Sequence, residues 1–144
     1  MSNVSSIRFA KSQDAAELAR LLSPLGYLLA AEDVAAVWGA WKSEGNSALV
    51  VQGAGSLLGA ITLHSAVVLH RPKPVGRITS LVVEPSARGQ GLGRALVLAA
   101  EEALAKAGCG LVEVTSHVRR SKAHTFYRHL GYEQTSFRFA KVFG

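Results

Sequence analysis

The sequence predicts a mixed α/β fold, in which helices cover the faces of one sheet. The prediction rests on hydrophobic period: some segments alternate apolar and polar residues, and others repeat apolar residues at helical spacing. The expected strands form a meander in the middle of the chain and alternate with helices in the second half, as in such a sheet. Because 144 residues is the length of one ordinary domain, we expect a single domain over 1–144.

Turn residues mark the ends of the elements, and the expected order is β-α-α-β-β-β-α-β-α-β. Ser12 is a candidate N-cap for the first helix, and Pro24 ends that helix. The turn at 53–56 makes the second and third strands a hairpin, and Gly108 closes the long third helix. The unit 76–116 should be a right-handed parallel crossover. The expected strands are 6–10, 48–52, 57–69, 76–83, 111–116 and 132–142, and the expected helices are 12–22, 32–42, 92–107 and 121–130.

Composition excludes several classes of protein. Hydrophobic residues make up 49% and charged residues 18%, a balance typical of a globular domain. No apolar run reaches the ~18 residues of a membrane span, and residues 1–10 lack the apolar core of a signal peptide. Cys109 is the only cysteine, which excludes an internal disulfide framework and a cysteine zinc site, and we expect no metal site. A reducing, cytoplasmic location is expected.

The net charge of +6 is concentrated in the second half of the chain. Residues 1–70 carry four Lys and Arg against five acidic residues, whereas residues 71–144 carry twelve against five. A basic half fits either a polyanionic partner or plain solubility. Because neither a recognition helix nor basic residues interleaved with aromatics are evident, we do not expect a nucleic-acid partner.

A glycine-rich turn at 88–93 (RGQGLG) joins a buried strand to the long third helix. The first N–H groups of a helix lack intrahelical partners and attract anions, and glycine lets the backbone approach phosphate oxygens closely. Arg88 and Arg94 flank the turn and add positive charge. No Lys follows the glycines as in a P-loop, and a dinucleotide fingerprint would need glycine where Arg94 stands. The turn therefore predicts a phosphate cradle of another type.

This turn resembles the Arg/Gln-x-x-Gly-x-Gly/Ala signature of the GCN5-related N-acetyltransferases, and the expected order of elements is also that of the family. The resemblance covers nearly the whole chain and implies acetyl-coenzyme A as cofactor. It also implies a bulged strand before the turn, splayed from its parallel neighbour to make room for the pantetheine arm. The cofactor-binding residues that it implies are Leu81, Val82, Val83, Arg88, Gly89, Gln90, Gly91, Leu92, Gly93, Arg94 and Arg120.

The block 123–132 (AHTFYRHLGY) resembles the family's Asn-x-x-Ala-x-x-Phe-Tyr-x-x-x-Gly-Phe/Tyr block. The tyrosine of that block commonly protonates the departing thiolate in the family, which makes Tyr127 the expected general acid. The alternative is that Tyr127 only packs. The family's asparagine falls on Arg120, which cannot accept a hydrogen bond but can reach a phosphate or a substrate anion. With Arg119, Lys122 and Arg128 it forms a basic cluster, for which a solvated helix start is an equal alternative.

The general base is not evident from the sequence. The family often places a Glu on the strand before the glycine turn, but residues 77–80 offer no carboxylate. A histidine or a water relay can do the same work. The open candidates are His64 and His70 on the preceding strand, His117 after the next one, Glu113, and a water relay that ends on Ser80.

The expected reaction is direct transfer from acetyl-coenzyme A to an amine in a ternary complex. A backbone N–H of Val82 or Val83 would polarise the thioester carbonyl. Because no activated nucleophile is evident in the sequence, direct transfer is expected rather than a ping-pong route. The C-terminal block resembles the aminoalkylphosphonate N-acetyltransferase branch, which favours a small anionic amine; an amino-sugar or a protein amino terminus stays open. No nucleic-acid or membrane partner is expected, and a homodimer is compatible with the family. The alternative function is a non-catalytic acyl-coenzyme A sensor or a partner-binding module.

Overall fold

The computed structural model of the chain describes residues 6–26, 30–116 and 120–144. They divide into two compact units, Met1–Glu113 and the smaller Val114–Gly144. His117 and Arg119 lie outside the described residues, so their expected roles stay predictions. Within these ranges no helix is both long and apolar enough to cross a bilayer, and no three side chains of the metal-binding types come together.

The described residues form five strands and four α-helices, in the predicted order up to the last helix. The strands are β1 (Ser6–Phe9), β2 (Asn46–Gln52), β3 (Leu57–Ala66), β4 (Val75–Val83) and β5 (Leu111–Val114). The helices are α1 (Ala15–Leu22), α2 (Ala31–Ser43), α3 (Leu92–Lys106) and α4 (Ser121–His129). Short 3₁₀ turns occupy Ser12–Asp14, Ser23–Leu25 and Pro85–Ala87.

The predicted cap of the first helix is wrong. Ser12 begins a 3₁₀ turn, and its hydroxyl contacts the neighbouring side chain of Gln13. The carboxylate of Asp14 instead accepts the backbone N–H of Lys11 at 2.7 Å. Arg8 of β1 holds that carboxylate through two further hydrogen bonds of 2.9 Å each, so a contact with the preceding strand replaces the expected cap.

One sheet holds the strands in the order β1-β2-β3-β4-β5. The pairs β1–β2, β2–β3 and β3–β4 are antiparallel, which confirms the predicted meander. β5 lies beside β4 after the long connection through α3, as a strand–helix–strand unit requires. The sheet and its helices confirm the mixed α/β class.

Strand β4 carries a β-bulge at Thr79. Two successive residues of β3, Thr62 and Leu63, pair with Ser80 and Ile78, which leaves Thr79 as the extra residue. In a regular strand every second residue faces the same side of the sheet. The bulge shifts that alternation by one residue. Residues of β4 after Thr79 therefore lie on the opposite face of the sheet from the one they would have in a regular strand. The bulged strand that the family resemblance implied is confirmed.

Helices cover both faces of the sheet in the first unit. On one face Ala60 and Val82, which pair with each other, are buried in a cluster with Leu18 of α1. Trp38 and Trp41 of α2 pack against the same cluster, with their ring centroids 5.0 Å apart. Burial of one large apolar side chain contributes about 1.5–3 kcal/mol, so this packing fixes the helices on the sheet.

Helix α3 covers the opposite face. Leu96 and Val97 are fully buried, and Leu96 contacts β3 where Gly59 leaves room for it. Gly76 of β4 is also required, because a Cβ there would lie 2.9 Å from the side chain of Leu104. This close approach of helix and strand sets the direction in which α3 leaves the glycine-rich turn.

The predicted last strand, 132–142, is wrong. In the second unit α4 is followed by residues 132–144 without helix or strand, and Phe137 and Phe139 are 80% and 91% exposed. Alternating aromatic residues fit a pleated surface, but a strand is stable only beside a hydrogen-bonded neighbour. The alternation in the sequence does not provide that neighbour.

Candidate cofactor and acceptor sites

The glycine-rich turn follows β4 directly and holds two glycines in a conformation that other residues rarely adopt. Gly89 and Gly91 have φ angles of +80° and +79°. A Cβ built on either glycine meets nothing within 4 Å, so both face open space and a packing role is excluded. Arg88 donates from Nε to the carbonyl of Val83 at 3.1 Å, which ties the turn to the end of the strand.

Helix α3 begins at this turn without a side-chain cap. Gly91 is the N-cap and accepts the N–H of Ala95 at 3.0 Å, the first bond within the helix. The first turn of the helix contains Arg94 and no acidic residue. Uncapped N–H groups, the positive end of the helix dipole and this charge all favour an anion here.

Side chains of α1 fix the entrance of the turn. Arg20 donates to the Glu84 carboxylate at 3.2 Å and to the Leu57 carbonyl at 2.9 Å. Glu17 accepts the N–H of Leu57 at 2.9 Å, and its hydrogen bond with Arg20 holds the pKa of Glu17 below its usual value. Glu84 is thereby paired with Arg20. The turn 88–94, with its open glycines, uncapped helix start and two arginines, fits the pyrophosphate of coenzyme A.

The segment expected to bind the pantetheine arm is the end of β4. Leu81, Val82 and Val83 pair in order with residues 61, 60 and 59 of β3. On the other edge of β4 lies β5, which has four residues against nine in β4. β5 therefore cannot cover the whole edge, and backbone groups of β4 stay open to an added chain.

A cavity of about 160 Å³ opens near the start of β4. Arg77 donates to Glu113 across it at 3.0 Å, and both side chains are about half exposed. The lining has two guanidinium groups, of Arg71 and Arg77, and one carboxylate, of Glu113, and this excess of positive charge favours an anionic ligand. The charged and titratable residues that line it are His64, His70, Arg71, Arg77 and Glu113.

The cavity brings together three of the candidate bases, His64, His70 and Glu113. The expectation that His70 lies on the strand is wrong, because β3 ends at Ala66 and the loop with two prolines follows. Ser80 is not among the residues that line this cavity, and its hydroxyl is hydrogen-bonded to Thr62.

A cluster of three hydroxyls, from Thr62, Thr79 and Ser80, stands at the bulge and was not predicted. Thr62 contacts Ser80 by a hydrogen bond, and its Oγ1 lies 2.6 Å from that of Thr79. The two threonines are seventeen positions apart, and only the β3–β4 register with its extra residue brings them together. The pattern of apolar and polar residues along each strand carries no signal for this cluster, because that pattern does not fix the register between strands.

In the second unit Tyr127 is half-buried among aromatic rings of its own unit. The rings of Phe126 and Tyr132 meet it edge-on, with centroid distances of 5.2 and 5.6 Å. Burial raises the pKa of Tyr127 to about 12. The phenol is therefore protonated at neutral pH, which is the state that a hydrogen-bond or proton donor needs.

Arg120 precedes α4 in the same unit. Its carbonyl accepts the N–H of His124 at 3.1 Å, as expected of an N-cap residue, and its side chain makes no cap hydrogen bond. Arg120, Lys122 and Arg128 are exposed. The described part of the cluster thus presents positive charge to solvent, and its expected phosphate contact stays a prediction.

A mixed sheet with helices on both faces and an open glycine turn before α3 is the architecture expected of an acetyltransferase. The chain belongs to the Acetyltransferase (GNAT) family, whose sequence pattern matches residues 13–132. The family resemblance deduced from the sequence is confirmed.

Three known proteins illustrate the relationship. An aminoalkylphosphonate N-acetyltransferase of Salmonella typhimurium is 42% identical over 88 residues, which is 61% of this chain and 57% of that protein. An acetyltransferase of Trypanosoma brucei superimposes with a TM-score of 0.85 and 26% identity, covering 97% of this chain and all of the other. An aminoglycoside N-acetyltransferase solved in complex with CoA shares the fold, with a TM-score of 0.83 at 16% identity, over 99% and 97% of the chains.

Proposed function

We propose that the chain is an acetyl-coenzyme A-dependent N-acetyltransferase, which moves an acetyl group to a primary amine by direct attack in a ternary complex. The observation that carries the proposal is the open turn at Gly89 and Gly91, which presents uncapped N–H groups of α3 beside two arginines. When bound, acetyl-coenzyme A supplies an acetyl thioester with an electrophilic carbonyl carbon. Membership of the acetyltransferase family supports the same activity.

Some residues of the chain would bind the cofactor, and others would donate hydrogen bonds or a proton during the reaction. The backbone of 81–83 would hold the pantetheine arm and 88–94 the pyrophosphate, with Arg120 as a further phosphate contact. An N–H of Val82 or Val83 would donate to the thioester carbonyl and stabilise negative charge as it develops there. Tyr127 would donate the phenol proton to the departing sulfur, since its phenol is protonated at neutral pH.

The acceptor that the cavity fits best is a small primary amine with an anionic group, such as an aminoalkylphosphonate. The cavity near the start of β4 has Arg71 and Arg77 in its wall, and guanidinium pairs well with the oxygens of a phosphonate or phosphate. The matching relative acts, by its name, on aminoalkylphosphonates. An amino-sugar or a protein amino terminus would fit the charge of this wall less well.

The test of the activity is the release of free thiol from acetyl-coenzyme A in the presence of amines. We expect turnover with 2-aminoethylphosphonate and at least about tenfold lower kcat/KM with ethanolamine, which has the same amine without the anion. In Arg71→Gln the KM for the phosphonate should rise while that for ethanolamine stays level. Equal kcat/KM for the two amines would contradict the anionic acceptor but leave the activity standing.

The alternative is a non-catalytic acyl-coenzyme A sensor or a partner-binding module. It would show tight binding of acetyl-coenzyme A by calorimetry and no thiol release with any amine. The cavity favours the enzyme, because a sensor that only binds acyl-coenzyme A needs no second, charged cavity near the start of β4.

A homodimer is the assembly that we propose. Large apolar side chains of the C-terminal segment are exposed, and a second copy would cover them. Sedimentation of the wild type should show a dimer, and the double variant F137S/F139S should be monomeric. A monomeric wild type would contradict this. The exposed residues are Phe137, Phe139, Val142 and Phe143.

A further inference from the structure

We propose that His64 is the general base of the reaction and that its Nδ1 takes the proton from the acceptor amine. The inference rests on the proposed function, because an ammonium group cannot attack a thioester until it has lost a proton. Of the candidate bases in the cavity wall, His64 is the one whose ring is held in a defined state by the backbone.

The hydrogen bond of His64 decides which nitrogen is free. Its Nε2 lies 3.1 Å from the backbone carbonyl of Glu44. A carbonyl oxygen only accepts, so Nε2 must carry the hydrogen. Neutral imidazole has a single N–H, and Nδ1 therefore keeps an unshared electron pair. A base oriented by a third group in this way is the arrangement that catalytic histidines use.

The turn between α2 and β2 is built to present that carbonyl. Gly45 has φ of +92°, and a Cβ there would lie 2.6 Å from the backbone oxygen of Ser65 and 3.7 Å from the His64 ring. The N–H of Ser65 donates to the Gly45 carbonyl at 3.0 Å. Glycine thus lets the turn pack directly on β3, which brings the Glu44 carbonyl to the ring.

His64 also stands at a suitable place on the sheet. It follows Thr62 by two residues, so the two side chains lie on one face of β3, about 7 Å apart along the strand. Thr62 pairs with Ser80, the residue before the segment proposed for the pantetheine arm, and His64 pairs with Arg77 in the cavity wall. His64 is therefore placed between the acceptor cavity and the end of β4.

The proton transfer balances without a further reactant. The N–H bond of the ammonium breaks, a bond from hydrogen to Nδ1 forms, and the electron pair stays on the amine nitrogen. That pair forms the bond to the acetyl carbon, the carbon–sulfur bond breaks, and the sulfur leaves with its electron pair to be protonated. The imidazolium then returns its proton to solvent.

Kinetics of His64→Gln test the proposal. General base catalysis contributes about 100-fold or more, so kcat/KM should fall by about that factor near neutral pH. The deficit should shrink as pH rises, because free amine then accumulates without a base. The dissociation constant of coenzyme A should not change. His129→Gln, on the exposed end of α4, is the matched control and should behave as wild type.

The other charged groups that face the ring are separate tests. They are the charged and titratable residues that line the cavity with it: Arg77 on β4, Glu113 on β5, and His70 and Arg71 in the loop after β3. His70→Gln and Glu113→Gln should alter the KM for the acceptor and leave kcat near that of wild type. A loss of kcat of about 100-fold in either variant, with kcat kept in His64→Gln, would overturn the proposal.

The tautomer gives a readout that needs no turnover. In protein labelled with ¹⁵N-histidine, free of ligand, the His64 signals should show a protonated Nε2 and an unprotonated Nδ1. The opposite tautomer would overturn the proposal. If wild type releases no thiol with any amine but shows the expected tautomer, it is the proposed function that fails; if wild type is active and His64→Gln is equally active, it is the base assignment that fails.

Discussion

At the scale of single residues, Tyr127 is the side chain for which a packing role and a proton-donating role have to be distinguished. Its ring packs edge-on against two neighbours, and burial raises the pKa of its phenol to about 12. The family resemblance made Tyr127 the expected general acid, with packing alone as the alternative. The phenol is protonated at neutral pH with or without this shift, so the shift does not choose between packing and proton donation.

Tyr127→Phe separates the two readings. The ring contacts are kept and the donor is lost, so we expect kcat to fall by about 100-fold with little change in the dissociation constant of coenzyme A. Stopped-flow thiol release and calorimetry measure the two quantities. Tyr132→Phe, which changes the neighbouring ring in the same way, is the control. Unchanged kcat in Tyr127→Phe would leave only the packing role.

Gly91 offers a second residue-scale prediction. At φ +79° a side chain costs about 1–2 kcal/mol, and relief of that strain would move the start of α3. Gly91→Ala should therefore lose about that much stability and bind coenzyme A at least about tenfold more weakly. Gly26→Ala, strained at φ +105° with open space around it, should lose similar stability and keep its affinity. Equal affinity in both variants would argue against the cradle.

At the scale of elements, the bulge in β4 decides which side chains face which helix. By the period of two, Ile78 and Val82 would share a face. The register instead pairs Ile78 with Leu63 and Val82 with Ala60, which are three apart on β3 and so face opposite sides. The extra residue, Thr79, thus supplies both helical layers with apolar partners and bends the strand at its middle.

Deletion of Thr79 tests whether the bend is needed for function. The remaining residues keep their faces, since Ser80 then follows Ile78 in regular alternation, and we expect a folded protein with about 1 kcal/mol less stability. Because a straightened strand should no longer leave room beside its end, coenzyme A affinity should drop at least about tenfold. Thr79→Val keeps the bulge, loses only the hydroxyl, and should bind normally. A deletion variant with full affinity would show the bulge to be structural only.

At the scale of the whole molecule, acid stability depends on carboxylates held by arginine. Hydrogen bonds from Arg8 hold the pKa of Asp14 below its usual value, and Arg20 does the same for Glu17. The folded state then binds fewer protons than the unfolded state in acid. The stability that these groups contribute is complete above about pH 4, the unfolded value, and is lost as pH falls through the folded pKa.

Asp14→Asn should make this loss visible. It removes the ion pair at the start of the chain, and because Arg8 is partly exposed we expect a cost of only about 1 kcal/mol at neutral pH. Urea unfolding between pH 7 and pH 3 should show a shallower decline than in wild type. Gln13→Asn, next in the chain and without this ion pair, is the control. An equally steep decline in Asp14→Asn would show that other carboxylates dominate.

The charge of the molecule follows from the same arrangement. The surplus of Lys and Arg falls in 71–144, which contains the glycine-rich turn, two arginines of the cavity wall, and the exposed cations of α4. The composition allowed any polyanion as partner. The structure places part of the surplus at a helix start suited to phosphate and part in a small cavity, which favours two small anionic ligands.

Local signals were enough for the helices, the meander and the glycine turn. The turn is defined by glycines close in sequence, and its backbone has the expected left-handed angles at Gly89 and Gly91. The local signals failed where a contact with another element determines the structure. The pairing of Asp14 with Arg8 replaced the expected cap at Ser12, and residues 132–142 have the composition of a strand without a neighbouring strand.

The sequence by itself determined the mixed α/β class, the family and the position of the glycine-rich turn, because period, glycine spacing and helix starts are properties of neighbouring residues. Only the tertiary structure decided that Thr79 is the bulged residue, that His64, Arg77 and Glu113 share one cavity, and that the Glu44 carbonyl fixes the His64 ring. These depend on strand register, which joins residues far apart in the chain and is set by the packing of the whole sheet.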